Sequence, residues 1–189
     1  MKIVTVLGSP RKHGNTASVL GAFERLVSQE HHSIERINVV DCTVGGCLGC
    51  DACFETLDEP GCAQNDDAGW ILKHILEADL VVYASPVYAW GFTGQLKHLI
   101  DRHYCLVKWQ GSEVASALMA GKRAALLTTC GGDAAGNADL LEAAFKRFLD
   151  YAQSQLAGIY VLDNCGSRPV GPCAAADALA QRMARELLA

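Results

Sequence analysis

Short apolar runs alternate along this chain with longer stretches in which apolar residues recur every three or four positions. The first run, Lys2-Ile3-Val4-Thr5-Val6-Leu7, has the length and β-branched content of a buried strand. Val19, Leu20, Phe23, Leu26 and Val27 then share one helical face within 17–27. Ser33 to Val40 alternates and reads as a second strand. Asp66-Asp67 offers an N-cap and negative charge to a helix running through Trp70, Ile71, His74 and Ile75 to Glu77. Ala78 to Ala84 is the third strand, and Thr93 to Arg102 a helix with Leu96, Leu99 and Ile100 on one side. Lys122 to Thr128 is the fourth strand. Asn137 to Ala152 is a helix whose apolar side carries Leu140, Leu141, Phe145 and Leu149. Gly158 to Leu162 is the fifth strand, and a Gly/Pro-rich connection leads to a last helix over 174–188. The segment from His103 to Ala120 fits neither period and is expected to be irregular.

Strands that alternate with helices imply a parallel sheet covered on both faces. Five strands at this spacing suit a doubly wound, flavodoxin-like α/β sheet of order 2-1-3-4-5. There is no internal repeat, low-complexity tract or linker, so residues 1–189 read as one domain. Ligands of such sheets bind beyond the carboxyl ends of the strands, at the switch point beside the first strand. Three distinctive loops fall on that rim: Gly8 to Thr16, Ser85 to Gly91, and Thr129 to Asp133.

The first loop, Gly8-Ser9-Pro10-Arg11-Lys12-His13-Gly14-Asn15-Thr16, joins a strand to a helix N-terminus. The first N–H groups of a helix have no internal partner and lie at the positive end of its dipole, which favours an anion. The nucleoside triphosphate pattern fails, because five residues separate Gly8 from Gly14 and no Lys precedes Thr16. The G-x-G-x-x-G dinucleotide pattern fails too. Hydroxyls, an amide and one Arg, with no metal-binding acid, suit a phosphomonoester held without magnesium. The competing reading is an ordinary strand-to-helix turn.

Half of the residues are hydrophobic, ample for a sizeable core. A net charge of -5 with scattered basic residues gives no nucleic-acid surface. No stretch approaches the length of a membrane span. The first apolar run is only a strand long and lacks a cleavage-type tail, so no export leader is expected. Nine cysteines, an odd and clustered set, read as reduced thiols or a metal site in a cytoplasmic protein.

Gly8-Ser9-Pro10-Arg11 with Gly14-Asn15-Thr16, Ser85-Pro86-Val87-Tyr88 with Trp90-Gly91, then Leu96-Lys97 and Asp101-Arg102, resembles the NADPH-dependent FMN reductase family of flavodoxin-like folds. The resemblance extends to about residue 135. It implies FMN as cofactor, NAD(P)H as co-substrate and a small-molecule electron acceptor such as a quinone or nitro compound. It implies that Ser9, Arg11, Gly14, Asn15 and Thr16 hold the FMN phosphate. Ser85, Pro86, Val87, Tyr88, Trp90 and Gly91 would line the ring edge, and Thr129, Cys130, Gly131 and Gly132 its other side. Flavin chemistry draws orientation and electrostatics from the protein, so no side-chain catalyst is expected. A flavodoxin-type electron carrier is the non-enzymatic alternative. A phosphoryl-receiver module is excluded, because the first and third strands end in Gly8-Ser9 and Ser85-Pro86, not in acids.

Five of the nine cysteines fall in the loop from Asp41 to Asn65, four of them as Cys47-x2-Cys50-x2-Cys53-x8-Cys62. A [4Fe–4S] cluster, a zinc site and unligated thiols all remain open on spacing. The iron–sulfur flavoproteins, a branch resembling this family, carry a compact cysteine run in the same loop. That resemblance implies Cys47, Cys50, Cys53 and Cys62 as cluster ligands, although the last gap is longer than in that branch. Under that reading Cys42 would be a spare or substitute ligand. Cys105, Cys130, Cys165 and Cys173 read as core or loop thiols, with Cys130 near the flavin. With a cluster, the partner becomes a redox protein and electrons pass singly. A homodimer or homotetramer is expected, because the 103–120 segment with Trp109 lacks an evident role inside one chain.

Overall fold

A computed structural model describes residues 1–167 and 173–189. Its elements are β1 (Lys2–Leu7), α1 (Asn15–Gln29), β2 (Ser33–Asn38), α2 (Ala68–Glu77), β3 (Leu80–Pro86), α3 (Gly94–Arg102), β4 (Val107–Gln110), β5 (Glu113–Ala117), β6 (Arg123–Thr129), α4 (Asp139–Tyr151), β7 (Gln155–Leu162) and α5 (Ala174–Leu187). The main sheet runs β2-β1-β3-β6-β7, parallel throughout. This is the expected 2-1-3-4-5 once β4 and β5 are set aside. Every residue of β3 is buried, as is β1 beyond Lys2 and Ile3 is fully so, which is why both read as unbroken apolar runs.

Two cores sandwich the sheet. One joins Val4, Val6, Val81 and Tyr83 to Ile71, Leu72, Leu96, Leu99 and Phe145 from α2, α3 and α4. The other joins Ile3, Leu7, Val82 and Leu127 to Val19, Leu20 and Phe23 of α1 and Met183 and Leu187 of α5. Alternate residues of each strand therefore face opposite cores.

Two strand boundaries differ from expectation in an informative way. β2 ends at Asn38 because Val39–Asp41 tightens into a 3-10 turn. β7 starts at Gln155, three residues early, and pairs with β6 across a bulge. Gly158 interrupts its apolar pattern because a Cβ there would lie 2.6 Å from the Tyr160 hydroxyl. The Gly/Pro-rich connection expected before the last helix falls largely on 168–172, outside the described residues.

The largest correction is at 103–120. After a 3-10 turn over His103–Leu106, β4 and β5 form an antiparallel hairpin closed at Gly111, whose φ is +63°. A register shift between Lys108 and Trp109 breaks the period of two. Both Val107 and Lys108 are consequently buried. The hairpin has clear work inside the chain. Trp109 stacks on Tyr151, with ring centroids 6.4 Å apart, and its Nε1–H donates to the Tyr151 Oη at 3.3 Å. The premise that this segment lacks an intramolecular role is therefore overturned.

Beneath the hairpin, His103 Nε2 and the Tyr83 hydroxyl are 2.8 Å apart, and His103 Nδ1 lies 2.8 Å from the Leu99 carbonyl. A carbonyl only accepts, so Nδ1 carries the proton and Nε2 accepts from Tyr83. Burial pushes His103 down to about 4 and Tyr83 upward. This pair is a satisfied polar island in the core.

Candidate functional site

The carboxyl ends of β1, β3 and β6 lie side by side, and hydrogen bonds tie their loops into one rim. Gly8 N–H donates to Ala84 O at 2.8 Å. The Thr93 hydroxyl donates to Gly8 O at 2.6 Å and accepts the Leu96 N–H at 3.4 Å, capping α3. Thr93 N–H donates to Ser85 Oγ at 3.2 Å, whose hydroxyl donates to Pro86 O at 2.8 Å. Thr93 and Ser85 are fully buried. At Gly8 a Cβ would lie 2.5 Å from Leu96 Cβ, so only glycine lets α3 approach the end of β1.

In the first loop, Ser9 Oγ accepts the Arg11 N–H at 3.1 Å and turns the chain. Arg11, Lys12 and His13 are exposed, with Lys12 Nζ 2.9 Å from Asp41. Gly14 is extended and offers no side-chain cap, and no acid stands in the first turn of α1. The first backbone bond into the helix runs from Ser18 N–H to Gly14 O, at 2.9 Å. The earlier N–H groups therefore point past the rim without helical partners. Inside, the Thr16 and Thr129 hydroxyls meet at 2.7 Å and join α1 to the end of β6.

The second loop is a tight turn. Tyr88 and Gly91 exchange both backbone hydrogen bonds at 3.0 Å, while Ala89 and Trp90 sit at φ +47° and +60°. Two non-glycine residues in the left-handed region make this a strained turn of the I′ kind. Trp90 is braced by Nε1–H donating to Gly136 O at 3.0 Å, yet Trp90 and Tyr88 remain exposed. Val87 N–H donates to Thr129 O at 2.8 Å. The third loop prolongs the β6–β7 pairing, with Cys130 N–H on Leu162 O at 3.1 Å and Asn164 N–H on Gly132 O at 2.9 Å. Cys130 is buried, which pushes its thiol up, and Sγ lies 3.2 Å from Gly132 O.

The predicted rim residues thus gather in one place, with a division of labour the sequence does not show. Ser9, Thr16, Ser85, Thr129 and Cys130 turn their polar atoms into bonds that brace the loops. Arg11, Tyr88, Trp90 and Gly131 face outward. Thr93 was legible only as the start of a helix, and its bond to Gly8 is tertiary.

The cysteine loop forms a second centre on the α2–α3 side of the sheet. Gly49 and Asp51 take left-handed φ values of +61° and +57° and curl the chain, so that Cys47, Cys50, Cys53 and Cys62 line one narrow cleft. Cys105, from the turn after α3, lines it too. Cys47 and Cys50 are exposed, whereas Cys53 and Cys105 are buried. Burial pushes Cys53 up and Cys105 up to about 12.

Arg102 forms a wall of this cleft. It is 1% exposed. Its Nη1 donates to Asp66 Oδ2 at 2.6 Å and to Gly45 O at 3.2 Å, and its Nη2 donates to Cys62 Sγ at 3.2 Å. Its buried Nε has no partner among the described residues. Asp66 also accepts from Gly45 N–H at 2.9 Å and from Ala68 N–H at 3.1 Å, starting α2. Burial raises the Asp66 carboxyl, but Arg102 and these amides outweigh it and hold the group below its ordinary range. Lys108, from β4, is also fully buried, donating to Cys53 O at 2.6 Å and Pro60 O at 2.9 Å. Neither cation was singled out as part of the cysteine centre on sequence, because charged residues are ordinarily exposed.

Among the described residues, no three His, Cys, Asp or Glu are arranged to hold a metal ion as they stand. The donor types nevertheless suit a soft metal: five cysteines, Cys105 among them, line one cleft, with Arg102 in its wall and Lys108 bonded to the Cys53 carbonyl.

Residues 1–148 match the family model described as NADPH-dependent FMN reductase. An iron-sulfur flavoprotein of Archaeoglobus fulgidus is 36% identical over 102 residues, 54% of this chain and 45% of that protein. One of Methanocaldococcus jannaschii is 38% identical over 102 residues, covering 54% of this chain and 51% of its own. The chain spans about half the length of the curated relatives it matches. Among solved structures, an azoreductase from Bacillus anthracis superposes with a TM-score of 0.74 at 17% identity, over 100% of both chains. The NAD(P)H:quinone oxidoreductase of Methanothermobacter marburgensis gives 0.73 at 17% identity, over 98% of this chain and 93% of that one. At such identities these two establish the shared fold.

Proposed function

The chain belongs to the NADPH-dependent FMN reductase family, and from that premise we propose that it is a single-domain flavoprotein oxidoreductase. FMN, when bound, supplies a two-electron acceptor for the hydride of NAD(P)H, and the electrons leave to a small acceptor such as a quinone, nitro or azo compound. The chain's own part is to bind and orient. The free N–H groups of Asn15, Thr16 and Ala17, with Arg11 beside them, hold the phosphate, and Gly14 leaves the approach open. The 86–91 turn and the 129–132 loop flank the ring, Tyr88 and Trp90 shielding it from water.

The observation that carries this reading is the uncapped, acid-free start of α1 opening onto a rim where three loops are bonded together. The test is a titration with FMN and with riboflavin, followed by quenching of flavin fluorescence. Asn15→Glu puts a negative charge at the helix start. It should weaken FMN binding at least about tenfold, a loss of 1.4 kcal/mol, and leave riboflavin unchanged. Equal FMN binding by parent and variant places the phosphate elsewhere. Steady-state NAD(P)H oxidation separates a reductase from a flavodoxin-type carrier, which shows almost none.

A second reading is favoured by the buried Arg102 and Lys108 at the cysteine cleft. Here Cys47, Cys50, Cys53 and Cys62 hold a [4Fe–4S] cluster, and the protein passes single electrons between it and FMN to a redox-protein partner. Iron and sulfide analysis of protein purified without oxygen decides between the two readings. About four irons per chain means a cluster, and negligible iron means a plain flavin reductase.

The reduced thiols support a cytoplasmic setting. Among the described residues, no helix is long and apolar enough to cross a membrane. A homodimer or homotetramer remains our expectation, resting now on the exposed Tyr88, Trp90 and Leu140. A single monomeric species in sedimentation at micromolar concentration would sink it.

A further inference from the structure

Lys108 is a fully buried ammonium whose recorded partners are two carbonyls, those of Cys53 and Pro60. No carboxylate pairs with it among the described residues; Glu59, an acid acting on it, is exposed. A buried cation without an anion is unfavourable. Burial accordingly pushes Lys108 below its ordinary range. Arg102 repeats the theme with an orientation. Its ion pair points the carboxylate of Asp66 toward the Gly45 and Ala68 amides and turns the guanidinium toward Cys62 Sγ. Asp51 is the other acid on the cleft, and its carboxylate takes the Tyr104 hydroxyl at 3.1 Å. Arg102 therefore lines the cleft beside Cys62, and Lys108 lies behind it, bonded to the backbone of Cys53. Neutral thiols gain little from such cations. Thiolates bound to a metal gain a great deal, because the interaction acts over a short distance with water largely excluded.

We propose that Lys108 and Arg102 are positioning residues for a thiolate-bound metal centre on Cys47, Cys50, Cys53 and Cys62, offsetting its negative charge and biasing it toward its reduced state. The proposal rests on the iron–sulfur reading above. Reduction adds one electron, and so one negative charge, without forming or breaking a bond. Fixed cations stabilise that added charge and raise the potential of the centre. Lys108, with no carboxylate of its own, contributes more than Arg102, whose charge Asp66 partly cancels.

The full chain is reconstituted without oxygen with ferrous iron and sulfide, as parent, Lys108→Met, Lys108→Arg and Arg102→Lys. Iron and sulfide are counted, and the midpoint potential is read by paramagnetic resonance in a dye-mediated titration. At the parent's midpoint, Lys108→Met should show a reduced-to-oxidised ratio at least about tenfold lower, a shift of 59 mV for one electron. Lys108→Arg restores most of it. Arg102→Lys, which withdraws the fork from Cys62, shifts in the same direction by less. Iron retained with an unchanged midpoint in Lys108→Met overturns the proposal while leaving the iron–sulfur reading intact. A parent chain that holds no iron or sulfide overturns that reading, and the proposal with it. A melting comparison removes the plain bracing explanation. Lys108→Met should lower the melting temperature of the loaded chain more than that of the metal-free chain, and equal lowering overturns the proposal.

Discussion

The flavin rim and the cysteine cleft lie on one molecule and are built from different materials. At the rim the buried ties are uncharged, Thr93 to Gly8, Ser85 to Thr93, Thr16 to Thr129 and Val87 to Thr129, and the Lys12–Asp41 ion pair lies on the exposed outside. Charge there is left to the incoming ligand, and the helix N-terminus meets it with dipoles. At the cleft the ties are ionic, with Arg102 held by Asp66 and Lys108 held only by carbonyls. The difference teaches how to separate a site waiting for an anion from one whose walls already answer negative charge on sulfur. Uncharged ties cost little to bury and hold shape whether or not ligand is present. Buried ions are expensive and persist where something makes use of them.

The largest expected break in this contrast is Asp66→Ala. It strands the Arg102 guanidinium in the core and should cost about 3–5 kcal/mol, read from urea unfolding. A cost under about 1 kcal/mol would put the pair among surface ion pairs, which contribute little. Next comes pH. His103 is held down at about 4 when folded against an ordinary 6.5, so the unfolded chain binds its proton first. Its contribution is complete above pH 6.5 and is lost as pH falls toward 4, amounting to about 3 kcal/mol. Urea midpoints measured across that window should fall steeply in the parent, and His103→Gln should flatten the slope. The Asp66 carboxyl, also depressed, loses its contribution on the acid side, as pH falls through its lowered value.

Gly8→Ala tests the rim. The added methyl collides with Leu96, and overpacking of this kind costs about 1–3 kcal/mol. It should displace α3 and weaken FMN binding while leaving iron content at the cleft unchanged; loss of both would show that the two centres stand or fall together. The smallest effect is at the turn. Ala89→Gly relieves a left-handed backbone worth about 1–2 kcal/mol, less the roughly 0.5–1 kcal/mol entropic cost of glycine, and should stabilise the chain slightly. If instead it destabilises, the contacts made by the Ala89 methyl outweigh the strain.

Much of this was legible beforehand because periodicity reports burial. The five strands of the main sheet, their order and the gathering of three loops on one rim follow from apolar runs and loop composition. The hairpin at 107–117 was missed because a buried lysine and a bulge break its alternation. Thr16 was read as a hydroxyl of the phosphate loop, and Ser85 as part of the ring-edge loop that the family resemblance implies. Folded, those hydroxyls are consumed by Thr93, Pro86 and Thr129.

By itself, then, the sequence determined the five-stranded sheet and the helices that cover it, since each rests on patterns within a few tens of residues. Tertiary structure alone decided which polar groups brace and which face out, and it placed Arg102 and Lys108 against the cysteines. Those contacts join residues 36 apart for Arg102 and Asp66 and 55 apart for Lys108 and Cys53. No local period encodes such partners. They exist only when α3 and the hairpin close over the loop, where exclusion of water makes each charge matter.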